Sequence, residues 1–492
     1  MSNPFEKYEP VIGLEIHAQM KTLSKAFCHC STDFSAPANS NVCPICLGHP
    51  GVLPVVNHEL VEYIIRMGLA TNCKIRERSI FARKNYFYPD LTKGYQITQY
   101  ETPICFDGYL DIESKDVPKK RIGITRIHME EDAGKSIHDF SDDDSLIDFN
   151  RCGVPLIEIV SEPDINSSQE AYLYLQKIKQ TLIYLDINDG NMEEGSLRCD
   201  ANVSIRPIGQ KEFGTRTEIK NLNSFRNVVD AIEAEIHRQA EVLDRGEKVI
   251  YHTMTYNAKD KTTAATRSKE EAHDYRYFPE PDLVYVEVSE EWKEKVRSLL
   301  PEFPDAKRTR FMEQYFLPAY DAEVLTQVKA IADYFESVTG ALNDKSAKNF
   351  KSASNWIMIE VMRVLNDDKI TISEFPISSD NIAKLIEITS SGQINNNTAK
   401  EVFADLLKDS TKNPADIIKE KDLGQVTDES EIESVVLKVI DQYKDEAERY
   451  RSGEKKLAGF FVGKVMAESK GKANPNLVNE LLLKNLKETK SA

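Results

Sequence analysis

The sequence predicts an α+β, multidomain protein, with a mixed α/β N-terminal domain over residues 1–293, an all-α helical domain over 294–408 and a small all-α tail domain over 409–492. Three observations predict it. The 492-residue length exceeds what one hydrophobic core normally holds. Runs of strand-like alternation fill the first part of the chain, and helical spacing takes over after about Val288. A polar stretch over 409–426, with Pro414 and Gly424, then reads as a linker before the last helices.

Strands are expected at 11–17, 121–129, 154–160, 199–206 and 216–219. Ser167-Ser168-Gln169-Glu170 reads as a capping box opening a helix that runs to Leu185. A second helix spans 224–245, with Phe225, Val228, Ile232, Ile236 and Leu243 at helical spacing and Gly246 as its stop. The polar residues 257–271 read as a long loop. Helical periodicity then covers 291–366 and 379–407, and Trp356, Ile357, Ile359, Val361, Met362 and Leu365 mark 349–365 as well buried. Short helices at 430–447 and 452–469 follow, and a last one is N-capped by Asn474 with Pro475 in its first turn.

Composition narrows the class. With 41% hydrophobic and 9% aromatic residues the chain is expected to be a soluble globular protein. No apolar run approaches the roughly 18 residues that span a bilayer, so no membrane partner is expected. The polar first ten residues carry no secretory or transit character, which favours a bacterial cytoplasm. Eight cysteines in 492 residues make no disulfide framework. Cys73, Cys105, Cys152 and Cys199 are scattered and read as buried thiols.

The net charge of −17 conceals an asymmetry, since the stretch from Arg449 onward holds ten Lys/Arg against four Asp/Glu. Arg449, Arg451, Lys455, Lys456, Lys464, Lys470 and Lys472 form either a phosphate-contact surface or a solvated face.

The remaining signals are chemical. Cys28-His29-Cys30 and Cys43-Pro44-Ile45-Cys46 have the ligand spacing of a closed tetrahedral zinc site, which would be structural. In Gly13-Leu14-Glu15-Ile16-His17, strand alternation places Glu15 and His17 on one face. Glu130-Glu131-Asp132, at a strand end before Gly134 and Lys135, either bind a hard cation and a phosphate or form an acidic turn. Glu158 lies inside an apolar strand, where an unpaired carboxylate is costly, and so requires a metal or a cation. Alternation puts Arg198, Asp200 and Asn202 on one face. One imidazole with several carboxylates suits Mg2+ or Mn2+ better than zinc, and Arg83, Lys84, Lys93 and Arg198 are the cationic candidates nearby. There is no Walker loop, no G-x-G-x-x-G fingerprint and no G-x-S-x-G elbow.

The collinear series Gly13–His17, the Cys pairs, Lys84-Asn85-Tyr86-Phe87-Tyr88-Pro89-Asp90-Leu91, Lys93-Gly94-Tyr95-Gln96-Ile97, His128–Lys135, Glu194–Asn202, Glu218–Arg226 and Arg267-Ser268-Lys269-Glu270-Glu271-Ala272 closely resembles the GatB family of aspartyl/glutamyl-tRNA amidotransferases. The resemblance covers nearly the whole chain, and the C-terminal stretch is similar to the family's YqeY-type tail. It implies a cradle-shaped first domain holding ATP, Mg2+ and the aminoacyl-tRNA end, and a tail that binds tRNA. It implies a heterotrimer with an amidase subunit, GatA, that supplies ammonia, and a small subunit, GatC. No residue here reads as a glutaminase nucleophile, in keeping with an outside ammonia source.

By the same resemblance Glu15, His17, Glu130 and Glu158 are the catalytic metal-site residues, with Glu131 and Asp200 next. Arg83, Lys84, Tyr88, Lys93 and Arg198 are candidates for ATP or the charged tRNA end. The misacylated substrate would be Glu-tRNA(Gln), Asp-tRNA(Asn) or both. One stretch departs from the pattern, because His252-Thr253-Met254-Thr255-Tyr256 stands where relatives tend to have a Gln/Glu-Thr-Arg run.

Overall fold

The computed structural model describes residues 3–33, 35–137, 144–268, 275–424, 429–469 and 473–487. The chain divides into two compact units, Met1–Phe303 and Pro304–Ala492.

The first unit is built on a nine-stranded sheet. In chain order its strands are β1 Tyr8–Gln19, β2 Lys74–Ile75, β3 Cys105–Ile112, β4 Lys120–Glu131, β5 Pro155–Ser161, β6 Leu197–Pro207, β7 Thr217–Leu222, β8 His252–Asn257 and β9 Thr262–Ser268. They lie side by side as β9-β8-β7-β6-β1-β5-β4-β3-β2. Neighbours are antiparallel except β7 and β8, which are parallel. Along β1, Leu14, Ile16 and Ala18 are buried in the core while Glu15, His17 and Gln19 point to the other face.

Three helices supply the apolar side of that core: α1 His58–Ala70, α2 Ser168–Tyr184 and α3 Phe225–Asp244. Asn57, Ser167 and Ser224 cap their first turns by accepting backbone N–H groups. At α2 only half of the expected capping box forms. Ser167 accepts from Glu170, but the Glu170 carboxylate takes the N–H of Asn166, one residue before the cap. Gly246 ends α3 at φ +77°, a conformation that carries no Cβ penalty for glycine.

Several expectations are revised. Residues 257–268 are no loop, because β8 and β9 form a hairpin there. Its alternation is carried by threonines, and of β8 only Met254 is buried, so the strands read as polar sequence. The helix Glu290–Ser298, which straddles the expected start of the helical domain, belongs to the first unit. Its Val296 lies in that core and its Trp292 stacks on His58 of α1 with centroids 4.6 Å apart.

The second unit is helical and contains two apolar clusters, one from Phe311 to Ile417 and one from Ile432 to Leu486. The expected linker contains a helix, Pro414–Glu420, capped by Asn413, and Ile417 is buried in the first cluster. Within 349–365 the segment Trp356–Val361 is a π-helical turn, and Ile359 is 58% exposed rather than buried. The expected helix at 430–447 is two, Glu429–Gln442 and Lys444–Arg451, broken where Tyr443 leaves helical geometry (φ −120°, ψ 57°). No helix among the described residues is long and apolar enough to cross a membrane.

Candidate active site

The polar face of the sheet carries one row of chemistry across four strands. Arg198 on β6 is directly opposite His17 on β1, His17 is opposite Glu158 on β5, and Glu158 is opposite His128 on β4. Glu15 lies one step along β1, opposite Asp200, and Glu130 one step along β4. Register alone therefore gathers residues far apart in sequence.

His17 Nε2 is 3.2 Å from Glu158 Oε2 and 3.7 Å from both Glu130 Oε2 and Glu15 Oε1. His128 Nε2 is 3.7 Å from Glu158 Oε1 and 4.0 Å from Glu130 Oε1. Both carboxylates and His128 are buried. Glu130 also accepts hydrogen bonds from Thr98 Oγ1 at 3.0 Å and Gln96 Nε2 at 3.2 Å. The cluster opens into a cavity of about 700 Å3, whose walls include Lys84, Tyr86, Tyr88, Arg198, Asp200 and Lys220.

The electrostatics follow from burial and proximity. Burial opposes charge on His17, but the hydrogen bond and charge of Glu158, with Glu130 and Glu15, hold its pKa up at about 9. Burial and the charge of Glu158 raise Glu15 to about 7, against the pull of His17 and Lys220. Burial would raise Glu158 as well, but His128, His17 and Lys84 outweigh it and keep the carboxyl well below its usual range. Burial pushes the His128 pKa below its usual value, against the charges of Glu158 and Glu130. Lys84 stays charged despite burial because Glu130 and Glu158 face it.

Two sets of ligand atoms, Glu15/His17/Glu158 and His128/Glu130/Glu158, each lie within 4.8 Å of one another. Oxygen-rich sets of this kind fit a hard divalent cation.

Some expected residues turn elsewhere. Glu131 faces away from the cluster, where it pairs with Lys93 and accepts the N–H of Ile97 at 2.9 Å. Neither Glu131 nor Lys93 lines the cavity. Arg83 and Lys84 are neighbours on a short strand, Ala82–Asn85, and so point to opposite sides. Arg83 binds Glu280 through two hydrogen bonds of 2.7 and 2.8 Å and stacks on Tyr95, while Lys84 lines the cavity. Asp200 reaches the cavity wall but is held by Lys220 at 2.9 Å. Arg198 lines the cavity and binds Asp132 at 3.0 Å. Tyr88 lines it as well.

Sequence reasoning misses His128 and Lys220. The signal for the first is present, because His128 shares its alternation phase with Glu130.

The four cysteines 28, 30, 43 and 46 also converge, with all ligand atoms within 4.8 Å. Cys43 and Cys46 Sγ are 3.9 Å apart, close to the ~3.8 Å edge of a tetrahedron with 2.3 Å zinc–sulfur bonds. The hydrogen bond from Cys28, with the Cys43 N–H and the Lys25 ammonium, lowers the Cys46 thiol below its usual range. The loop is fastened to the sheet unit by Lys25 Nζ on the Asn41 carbonyl at 2.8 Å and by Thr92 Oγ1 on the Cys46 carbonyl at 2.8 Å.

In the tail, Arg449 pairs with Glu454 at 2.9 Å and Arg451 donates to the Leu486 carbonyl at 3.2 Å. Lys455 lies over Tyr450 and Lys464 over Tyr443, each ammonium within 5.0 Å of the ring centroid. Lys456 precedes the helix Leu457–Glu468 and is exposed. Lys470 and Lys472 lie outside the described residues, as does most of the 267–272 segment.

Comparison with known proteins places this geometry in context. Residues 10–294 match the family model of the GatB/GatE catalytic domain, and residues 333–486 match that of a GatB domain. The B subunit of the aspartyl/glutamyl-tRNA(Asn/Gln) amidotransferase of Thermodesulfovibrio yellowstonii is 55% identical over 98% of this chain and 100% of its own length. The proteins of the same name from Solidesulfovibrio magneticus and Geotalea uraniireducens are 53% and 54% identical, over 98% of this chain and 99% of theirs.

Proposed function

The chain belongs to the GatB/GatE family, and from that membership we propose that it is the B subunit of a glutamine-dependent amidotransferase acting on misacylated tRNA. Its substrate is Glu-tRNA(Gln), Asp-tRNA(Asn) or both, and its product the matching Gln- or Asn-tRNA. The enzyme is an ATP-dependent ligase that forms a carbon–nitrogen bond. An amidase subunit (GatA) hydrolyses glutamine and delivers ammonia, a small subunit (GatC) completes the heterotrimer, and the assembly works in the bacterial cytoplasm.

One observation carries this reading, namely a buried carboxylate–imidazole cluster at the floor of a cavity whose walls bear Lys84, Arg198 and Lys220. A carboxylate is a poor electrophile at neutral pH. Transfer of the ATP γ-phosphoryl group to the amino acid's side-chain carboxylate releases ADP and leaves an acyl phosphate. Ammonia then attacks the carbonyl carbon and phosphate departs with the acyl–oxygen electron pair. Catalysis of such a step is mostly positioning and neutralisation of charge.

Glu15, His17, Glu130 and Glu158 would hold Mg2+ or Mn2+, which when bound supplies charge neutralisation for the phosphates. Lys84 and Arg198 offset the repulsion between anionic substrate and nucleotide, and Tyr88 borders the same space. Four thiolates at 28, 30, 43 and 46 would hold a structural zinc that braces the loop. The basic tail supports tRNA binding.

The test is reconstitution with amidase and small subunits, ATP, glutamine and each misacylated tRNA. Amide formation is expected and should be lost on Glu158→Gln. Normal turnover by that variant would overturn the assignment of the site.

A further inference from the structure

We propose that Asp132 is a positioning residue for the reaction. It anchors the Arg198 guanidinium at the cavity wall, away from the carboxylates of the cluster and ready to meet the anions of phosphoryl transfer. The inference rests on the proposed function and gives a task to a residue which that reading leaves without one. Asp132 lines the cavity, yet neither of the two carboxylate–imidazole ligand sets includes it.

The backbone fixes where Asp132 stands. It follows directly on the last residue of β4, donates its N–H to the Val154 carbonyl and accepts the N–H of Gly153, both at 2.8 Å. This pair locks the residue against the entry to β5. The side chain is then held from three directions. Oδ1 accepts the Ala133 N–H at 3.1 Å, while Oδ2 accepts Gln19 Nε2 of β1 at 2.8 Å and Arg198 Nη2 of β6 at 3.0 Å. Arg151 Nε lies 3.7 Å from the same oxygen and ties down the next turn of chain by binding the carbonyl of Ala133 at 3.0 Å. Asp132 is only 5% exposed, so its charge-assisted bonds are weakly screened.

Arg198 is the opposite kind of residue. Its side chain is 41% exposed and rises from β6 opposite His17. A long side chain left loose at this place must be ordered by the substrate, at an entropic cost that prior anchoring removes. It would also be drawn to the acids Glu15, Glu193 and Glu194, which line the same cavity. Asp132 claims it through Nη2. Its Nε is buried and has no hydrogen-bond partner among the described residues. A buried charged donor left unmade is destabilising, and an anionic group of the substrates supplies the acceptor that Nε lacks. The buried acid thus holds the cation by one nitrogen and leaves another for the reacting phosphates.

The test is kinetic and uses the reconstituted complex with misacylated tRNA, ATP and glutamine. Asp132→Asn keeps the shape of the anchor and removes its charge. The kcat for amide formation should fall roughly 10- to 100-fold, since small misplacements at a reacting centre cost about that much, with the KM for tRNA little changed. Asp132→Asn added to Arg198→Ala should slow that variant no further, because the two side chains act as one unit. Free guanidinium at millimolar concentration should restore part of the Arg198→Ala rate, methylammonium should not, and neither should help the double variant. Should Asp132→Asn fold poorly, the comparison of the two cations on Arg198→Ala decides, and no rescue, or equal rescue by methylammonium, would then refute the anchor. Wild-type kcat in folded Asp132→Asn, or a loss that adds to that of Arg198→Ala, would overturn the inference while leaving the proposed function intact. A wild-type complex that forms no amide on either tRNA would overturn both.

Discussion

His17 sits directly across the sheet from Glu158, its Nε2 3.2 Å from Oε2, so that the backbone register alone holds an imidazole against a buried carboxylate. Neither side chain needs a loop to position it. A site built on paired strands is rigid, and its ligand distances are fixed before any substrate arrives.

The first prediction follows from that pairing. His17→Ala and Glu158→Gln should each lower ATP-dependent amide formation by more than about 100-fold, since supporting residues around a metal already cost 10–100-fold when lost. Divalent-ion affinity should fall with activity. Rates measured over a range of Mg2+ concentrations check this, and full rescue of His17→Ala by saturating Mg2+ is the expected sign of impaired binding alone.

Lys84 and Arg83 provide a contrast between adjacent basic residues. Lys84→Met removes a charge from the cavity and should cut turnover by about 100-fold, with the thermal midpoint nearly unchanged or raised. Arg83→Met leaves Glu280, whose side chain is fully buried, without its bidentate partner. That variant should lose about 3 kcal/mol of stability. Paired melting and turnover measurements separate the two, and equal effects on both readouts would contradict the opposite-face assignment.

Glu235 on α3 offers a pH-dependent test outside the site. Its buried carboxylate accepts from Thr217, Thr263, Gln239 and the Nε and Nη2 groups of Arg238, at 2.6–2.9 Å. Burial would raise its pKa, but Arg238 and the neutral donors hold it below the ordinary 4.5. A carboxyl with a depressed folded pKa contributes its full stability above the unfolded value and loses it as pH falls through the folded one. Glu235→Gln should therefore cost about 3 kcal/mol near neutral pH, with the difference from wild type shrinking below pH 4.5. Denaturant titrations across that range check it.

Much of this is legible in the sequence because alternation assigns faces. It pairs Glu15 with His17 and Arg198 with Asp200, and the register brings those pairs together. Alternation still assigns His128 and Glu130 to one face of β4, but the contrast in burial that would say which face matters is lost at its end, where His128, Met129, Glu130 and Glu131 are all buried. When both faces of a strand are covered, polarity no longer reports which side a residue takes, so sequence alone puts Glu131 in the cluster and leaves His128 out. Arg83 and Lys84 pose a related problem. Their divergence follows from adjacency, but the partner that claims Arg83, Glu280, lies 197 residues away. The hairpin of β8 and β9 is hidden because its threonines carry β propensity without hydrophobicity.

The cysteine cluster predicts a metal content. Purified chain should hold one zinc in the loop, and Cys43→Ser should lose most of it while exposing the remaining thiols to a colorimetric reagent. Elemental analysis with thiol counting checks this. Zinc-free protein with four rapidly reacting thiols in wild type would refute a closed site.

The tail yields the last prediction. Ile432, Val436, Val439, Phe461, Val465 and Leu481 give it an apolar cluster of its own, while Lys455 and Lys464 lie over tyrosine rings. A cation held on an aromatic face is oriented at little entropic cost and still offers its charge to a phosphate. Removing the residues after 427 should raise the KM for tRNA by about 10-fold or more and flatten its salt dependence, because fewer counterions are then released on binding. The amidase partner's glutaminase activity should persist. Lys455→Glu combined with Lys464→Glu should weaken tRNA use in the same direction with the tail intact, which separates a charge effect from a folding one. An unchanged salt slope in both variants would mean that these cations only solvate their helices.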